Sequence, residues 1–441
     1  MSSVDHYMTS FAAMHPRLAG TAVDWLRATR NAAARHFETS GFPTTALEDW
    51  RYTDVSALTQ VPFAPVKAAP SHTSTTIKAL EFVESVALAD AHRLVFVDGV
   101  YIAEASRLAH VPEGVRVTNI ASAFLEAREL LGHVVSAEAG GFASLNMAMM
   151  SDGALVVVPR NMRVEKPIEL IVVSSGAVKP VASHLRNVIV VEQGAEATVV
   201  EHYLSSSNAV SFNNVVTEVV LRADAQLSHV KLQREGSSAF HIARIAATQE
   251  RTSRFKSWSL AVGGALARTE IATHLAGEGA DCQMLGAYVS TGRQLVDHHT
   301  VIHHDVPHCT SNELYKGVVG GMSRAVFNGT IKVAKDAQKT AAFQSNRNLV
   351  VSDSAVVDTR PQLEIYADDV KCSHGATIGR LDDEALFYLR SRGIDLLLAR
   401  RLLTSAFAGE VVESIENEAV RVMADAVVQR ALTECLTGGL S

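Results

Sequence analysis

From about residue 150 to 380 the apolar positions fall in short Val/Ile/Leu runs separated by small polar turns. Examples are "ALVVVPRN", "IELIVVSSG", "NVIVVEQGAEATVVEHY" and "NVVTEVVLRADAQLSHVKL". No helix-length segment interrupts them. "VVEQGAEATVV" aligns with "VLRADAQLSHV", which sets Gly194 over Asp224 and Ala195 over Ala225. Turns of similar type recur near Arg251, Gly279, Pro307 and Asp336, a step of about 27–30 residues. Short β-branched strands at a regular step predict a solenoid, a β-helix in which each coil stacks on the last and shares its backbone hydrogen bonds with both neighbours. A β-sandwich would show more hairpin turns. The chain has one Asn-Gly, at Asn328-Gly329, and the recurrent step outweighs it.

The flanks carry a different period. "TAVDWLRATRNAAARHFETSG" sets Trp25, Leu26, Ala33 and Phe37 at helical spacing, with Gly41 and Pro43 as the stop. "TTALEDWRYTDVSAL" follows, anchored by Trp50 and Tyr52, and the Pro/Ala/Ser-rich run from Pro62 to Ser74 reads as a linker. After residue 380 come three amphipathic segments. The first has an N-cap at Asp382 and a stop near Gly393; the last carries Val420, Met423, Val427, Leu432 and Cys435. A solenoid leaves its last rung as an open edge, and these helices are expected to cover it. The expected organisation is an N-terminal helical domain and linker over 1–75, a β-helix core over 76–380 and a C-terminal helical domain over 381–441.

Composition narrows the function classes. The chain has 441 residues, 47% apolar and 20% charged, the profile of a folded soluble protein. A net charge of −7 argues against nucleic acid, and no apolar run is long enough to span a bilayer. The N-terminus has no basic region followed by an apolar one, so no secretion signal is expected. Cys282, Cys309, Cys372 and Cys435 form no CxxC pair. They read as reduced thiols in a cytoplasmic protein. A secreted polysaccharide-cleaving β-helix, which needs stacking aromatics, fits poorly with 6% aromatic residues.

The chemistry centres on "PQLEIYADDVKCSHGATIG", residues 361–379. In an extended strand Cys372 and His374 project to one face, their side-chain bases about 7 Å apart, within reach of one metal centre. Parity sets Leu363, Ile365 and Ala367 on the opposite, core side, but Val370 and Lys371 break the alternation, which a bend around Asp368-Asp369 would resolve. Soft metals and iron–sulfur clusters take thiolate and imidazole, but a cluster needs about four ligands. One Cys and one His leave the set open, as suits a site completed by a second chain. The bland reading of a lone Cys is a small buried hydrophobe. A Cys–His acyl-transfer pair fits poorly, because parallel i,i+2 side chains are badly placed for proton transfer. A second cluster, His298, His299, His303, His304, His308 and Cys309, straddles a strand and a turn and cannot converge on one point. Hydrogen-bonded or solvent-facing roles are expected there. Cys282 and Cys309, one repeat apart, are expected to stack on adjacent rungs. Gln338, Gln344, Asn346 and Asn348 are expected to hydrogen-bond between rungs at coil corners.

These residues also carry a resemblance. "YKGVVGG…RAVFNGTIKVAKDAQKTAAFQSNRNLVVS", "PQLEIYADDVKCSHGATIGRLDDEALFYLRSRGI" and "ARRLLTSAFAGEV" resemble the C-terminal half of the SufB/SufD family, densest from Leu314 to Val411. "PTTALEDWRYTDVSAL" and the absence of an N-terminal cysteine cluster resemble its SufD branch. The resemblance implies a right-handed parallel β-helix between helical domains, in a scaffold subunit that is not itself an enzyme. It implies pairing with SufB through the β-helix and docking of the C-terminal helices on the ATPase SufC, here around Arg400, Leu403 and Phe407. It also puts Cys372 and His374 at the interface with SufB, as metal ligands for a transient iron–sulfur cluster that this chain does not hold stably alone. The chain has no GxxxxGK[ST] loop, so ATP work falls to a partner. Two alternatives stay open: a SufB-like primary scaffold that accepts sulfur and holds a cluster as a homodimer, and a purely structural subunit. An exposed β-helix face also suits homodimers when the partner is absent.

Overall fold

The computed structural model describes residues 3–65, 74–176 and 179–438. Between Ala154 and Gly379 the chain alternates between two sheets, and every such strand pairs in parallel with the strand one coil away. Sheet 1 runs through Val181–Val191, Ser211–Leu221, Phe240–Gln249, Leu266–Leu275, Leu295–His304 and Arg324–Val333, and ends at Val356–Ile365. Sheet 2 runs through Glu196–Ser205, Gln226–Arg234, Arg254–Val262, Asp281–Ser290, Thr310–Val319 and Ala341–Val350, and ends at Lys371–Gly379. This is the expected solenoid, with Leu266 opposite Leu295 and Leu295 opposite Arg324. The Asn328-Gly329 dipeptide lies inside a strand and makes no hairpin.

The periodic turns share one backbone device. Asn161, Gly194, Asp224, Thr252, Gly279, His308 and Lys339 all have positive φ, between 53° and 73°. Each occupies the same corner of successive coils. The N–H of Gly194 donates to Ala223, that of Asp224 to Arg251, and that of Thr252 to Glu278, so the corners stack as the strands do. Left-handed backbone is strained for a β-branched residue such as Thr252 and persists where the surroundings fix it. Here the Thr252 hydroxyl donates to the Asp224 carboxylate of the preceding corner.

The N-terminal segment is strapped across the outer face of sheet 1. Helix Asp24–Ser40 buries Leu26, Ala33 and Phe37, with Trp25 half-buried, and ends at Gly41 with φ 63°. Its apolar face shares a core with Leu145 and Met149 of helix Gly141–Met149 and with Val188 and Val190 of the sheet. Further along, the Arg268 guanidinium lies 3.8 Å from the Trp50 ring centre and donates to the Asp49 carbonyl. Arg268 is fully buried, ion-paired to Asp297, which also accepts from Thr53 at 2.5 Å. Of the expected linker, Ala64 and Pro65 instead pair in parallel with Val181 and Ala182; residues 66–73 lie outside the described residues. Ser74–Val86 is a helix.

At the other end, Asp382 caps helix Asp383–Ser391 by accepting from the N–H groups of Glu384 and Ala385, and Gly393 follows at φ 84°. Helices Leu396–Glu413 and Glu418–Thr437 do not cover the last rung. They lie on the outer wall of sheet 2, where Val411, Val412, Val420, Val428 and Leu432 pack with Trp258, Leu260, Ala287 and Val289. The reason is area: Trp258, Leu260 and their neighbours make a continuous apolar wall several strands wide, a larger surface to remove from water than the thin end of one coil. The Trp258 indole N–H also donates to Ser414 at 2.8 Å.

Candidate functional site

Because the helices sit on the wall, the solenoid ends bare among the described residues. There Lys371–Gly379 pairs only with Ala341–Val350, and Val356–Ile365 only with Arg324–Val333. Val356, Ile365, Tyr366 and Ile378 are exposed around these two edges, Tyr366 at 68% and Ile378 at 54%.

The Cys–His pair lies on the outermost strand. Residues 361–379 form two strands, one in each sheet, with the chain turning through Ala367–Val370. The expected division of faces therefore fails. Leu363 stacks on buried Ile331 in sheet 1, while Cys372 stacks on buried Ala342 and His374 on buried Gln344 in sheet 2. All three point along the inward direction of their sheets. A single parity count across a coil corner loses its meaning, since the turn resets which side is inside.

Cys372 tops an interior column of Cys282, Ser311 and Ala342. It is half-buried against the core, and burial pushes its thiol up, partly offset by the Ala342 backbone N–H. A thiol so placed is protonated at neutral pH, so a metal bound there would release a proton. His374 tops the neighbouring column of Met284, Glu313 and Gln344 and is exposed. Gln344 Nε2 donates to Glu313 Oε2 at 2.6 Å, and burial pushes the Glu313 carboxyl up to about 7. The amide fits because the facing strand has Gly329, where an added Cβ would lie 2.2 Å from Gln344 Nε2.

The other residues named from sequence fall as follows. Cys282 and Cys309 are both buried, but Cys282 stacks on Ser311, and Cys309 sits in the turn with its thiol 3.4 Å from the Gly277 carbonyl. They do not stack on each other. Gln338 is at a corner, accepting from the Asp369 N–H at 2.9 Å. Gln344, Asn346 and Asn348 are instead mid-strand and buried. Asn346 donates to the Tyr288 hydroxyl, Tyr288 to Asn348 at 2.5 Å, and Asn348 to Asn346 at 2.7 Å, a closed ring inside the solenoid. Alternation within 342–348 was the signal for this placement, since corners do not keep a period of two.

The histidines divide as their alternation requires. His298 and His304 point inward, where burial pushes their rings down to about 3 and about 4, and His304 bonds to Ser311 at 2.9 Å. His299 and His303 point outward, and His299 pairs with Asp297 at 3.1 Å.

Arg400, Leu403 and Phe407 are half-buried on helix Leu396–Glu413. Arg400 donates to the Val351 carbonyl at 2.9 Å. Lys316 lies 4.6 Å from the Phe407 ring centre, donates to the Phe407 carbonyl at 2.9 Å and ion-pairs with Glu410. These contacts tie the helix to the solenoid. Its exposed apolar side chains include Leu397, Leu398 and Leu402, with Phe387 (76%) and Tyr388 on the preceding helix.

Comparison with known proteins agrees with this architecture. A family model described as "SUF system FeS cluster assembly, SufBD core domain" matches residues 172–407, and one described as "SufBD protein N-terminal region" matches residues 1–170. The chain is 35% identical over 411 residues to an iron–sulfur cluster assembly SufBD family protein of Synechocystis, covering 90% of this chain and 89% of that one. It is 35% identical over 384 residues to the iron–sulfur cluster assembly protein SufD of Escherichia coli, covering 87% of each. With SufD of Bacillus subtilis it shares 28% over 442 residues, 97% of this chain and 98% of that one.

Proposed function

The chain belongs to the SufB/SufD family of iron–sulfur cluster assembly proteins, and from that premise we propose that it is the non-ATPase scaffold subunit that joins SufB end to end. The observation that carries this reading is the final coil, bare among the described residues, with two strand edges unpaired there, exposed apolar side chains and Cys372 and His374 on the outermost strand. An open strand edge is a template for a strand from another chain. The pair offers one sulfur and one nitrogen to iron, and SufB supplies the rest. An incomplete shell that includes a neutral imidazole holds cargo loosely enough to pass it on.

The ATPase SufC would dock on the exposed apolar side of the C-terminal helices, around Phe387, Tyr388 and Leu402. Arg400, Leu403 and Phe407, proposed from the sequence as its contacts, would instead carry its movement to the solenoid wall. ATP-driven closure would then pull on the strands that end at Cys372 and His374.

The test is co-expression with the cognate SufB and SufC, comparing the unaltered chain with Cys372→Ala and His374→Ala. Visible absorbance and Mössbauer spectroscopy read cluster content; size exclusion reads assembly. Normal assembly with collapsed cluster yield supports the reading. Unchanged yield in both variants reduces the chain to a structural subunit.

A further inference from the structure

Two and three rungs in from the open end, on the outer face of sheet 1, His303 and His274 stand directly opposite each other on adjacent parallel strands. Their rings stack 4.1 Å apart and 6° from parallel. Asp305, just past the end of the second strand, brings its carboxylate 3.1 Å from His274 Nδ1. Its own N–H is bonded to the Leu275 carbonyl, so the acid is held beside the strand that carries His274. One ligand atom from each of the three lies within 4.8 Å of the others.

We propose that His274, His303 and Asp305 form a surface binding site for a divalent first-row transition ion, separate from Cys372 and His374. Two imidazoles and one carboxylate with open positions are the donor set that Fe(II) and Zn(II) accept and that Ca(II) and Mg(II), which want oxygen, do not. Ligand bonds of about 2.0–2.2 Å require donors somewhat closer together than 4.8 Å, a difference that side-chain rotation on an exposed face covers. The backbone is already set, since strands hydrogen-bonded at about 4.8 Å hold two in-register side chains on one face. The neighbouring cation on the following rung, Lys332, is paired with Glu364 at 3.3 Å, which offsets its repulsion of a metal ion. His303 belongs to the histidine-rich run visible in the sequence, but His274 lies a full coil earlier, so only the stacking brings them together.

The inference rests on these side chains and not on the scaffold role. It is tested on the purified full-length chain carrying Cys372→Ala and His374→Ala, so that the open end contributes no ligand. Zn(II) is titrated against a chromophoric chelator, and Co(II) binding is followed by its visible bands. The expected result is one equivalent bound, with affinity weakened about tenfold or more by His274→Ala or His303→Ala and less by Asp305→Asn. Failure to bind an equivalent, or binding unchanged by both histidine substitutions, overturns the proposal. Should either substitution disturb folding, proton NMR of the Co(II)-loaded chain with both histidines intact decides. Hyperfine-shifted imidazole resonances that Zn(II) displaces support the site, and their absence overturns it.

Discussion

Gln344 donates a 2.6 Å hydrogen bond to Glu313 inside the solenoid, one rung below the position of His374. The hydrogen bond lies directly beneath the outermost strand and engages a buried carboxyl whose acidity burial has weakened to about 7. An acid with a raised folded-state value binds its proton longer in the folded than in the unfolded chain. Its effect on stability is therefore most favourable below the unfolded value near 4.5 and is lost as pH rises through about 7. Glu313→Gln should leave the melting temperature near that of the unaltered chain at pH 5 and raise it at pH 8. The gap corresponds to about 3 kcal/mol. A difference in melting temperature that does not change with pH would refute the assignment.

The space for Gln344 gives a second prediction. In Gly329→Ala the new methyl must displace the amide or the strand, and forcing atoms into a filled interior costs about 1–3 kcal/mol. Urea unfolding should show that loss. Because Gln344 is the register partner of His374 on the adjacent strand, the folded variant should also yield less cluster when co-expressed with SufB and SufC. Full yield at reduced stability would uncouple the column from the site.

Arg268 holds the N-terminal segment to sheet 1 and is ion-paired to buried Asp297, whose carboxyl is held well below the usual carboxylate range: burial opposes this, and Arg268, His299 and Thr53 outweigh it. Arg268→Ala strands that charge and should destabilise the chain by about 3–5 kcal/mol. Trp50 also loses its partner, so its fluorescence should shift to longer wavelength before global unfolding in a denaturant titration. Coincident transitions at unchanged stability would contradict this.

The bare end predicts a separation of folding from assembly. Ile378 is on the outermost strand and 54% exposed, so Ile378→Lys should change the stability of the lone chain by no more than about 0.5 kcal/mol. A charge on an open strand edge opposes pairing. The variant should fail to co-purify with SufB. Undiminished co-purification would move the interface elsewhere.

Much of this architecture is legible in the sequence because it repeats. Gly194 aligned over Asp224 already marks the corner that the backbone adopts in left-handed form at both. Cys372 and His374 share a face because residues two apart on a strand must. What the pattern misses comes from contacts that cross coils. The direction of Cys372 depends on a turn whose geometry no alternation encodes. The C-terminal helices choose between two apolar surfaces, and their own amphipathicity does not say which is larger. His274 and His303 are far apart in sequence and adjacent only through register.

The uncovered final coil has a consequence for the supply of this protein. Among the described residues no strand or helix covers the last two strands, so under the proposed pairing their edges stay open until SufB closes them. When this protein is made in excess, the same edges face only copies of themselves, so surplus is itself the hazard. Under the same proposal, matched synthesis with SufB would do what a capping helix does in other solenoids.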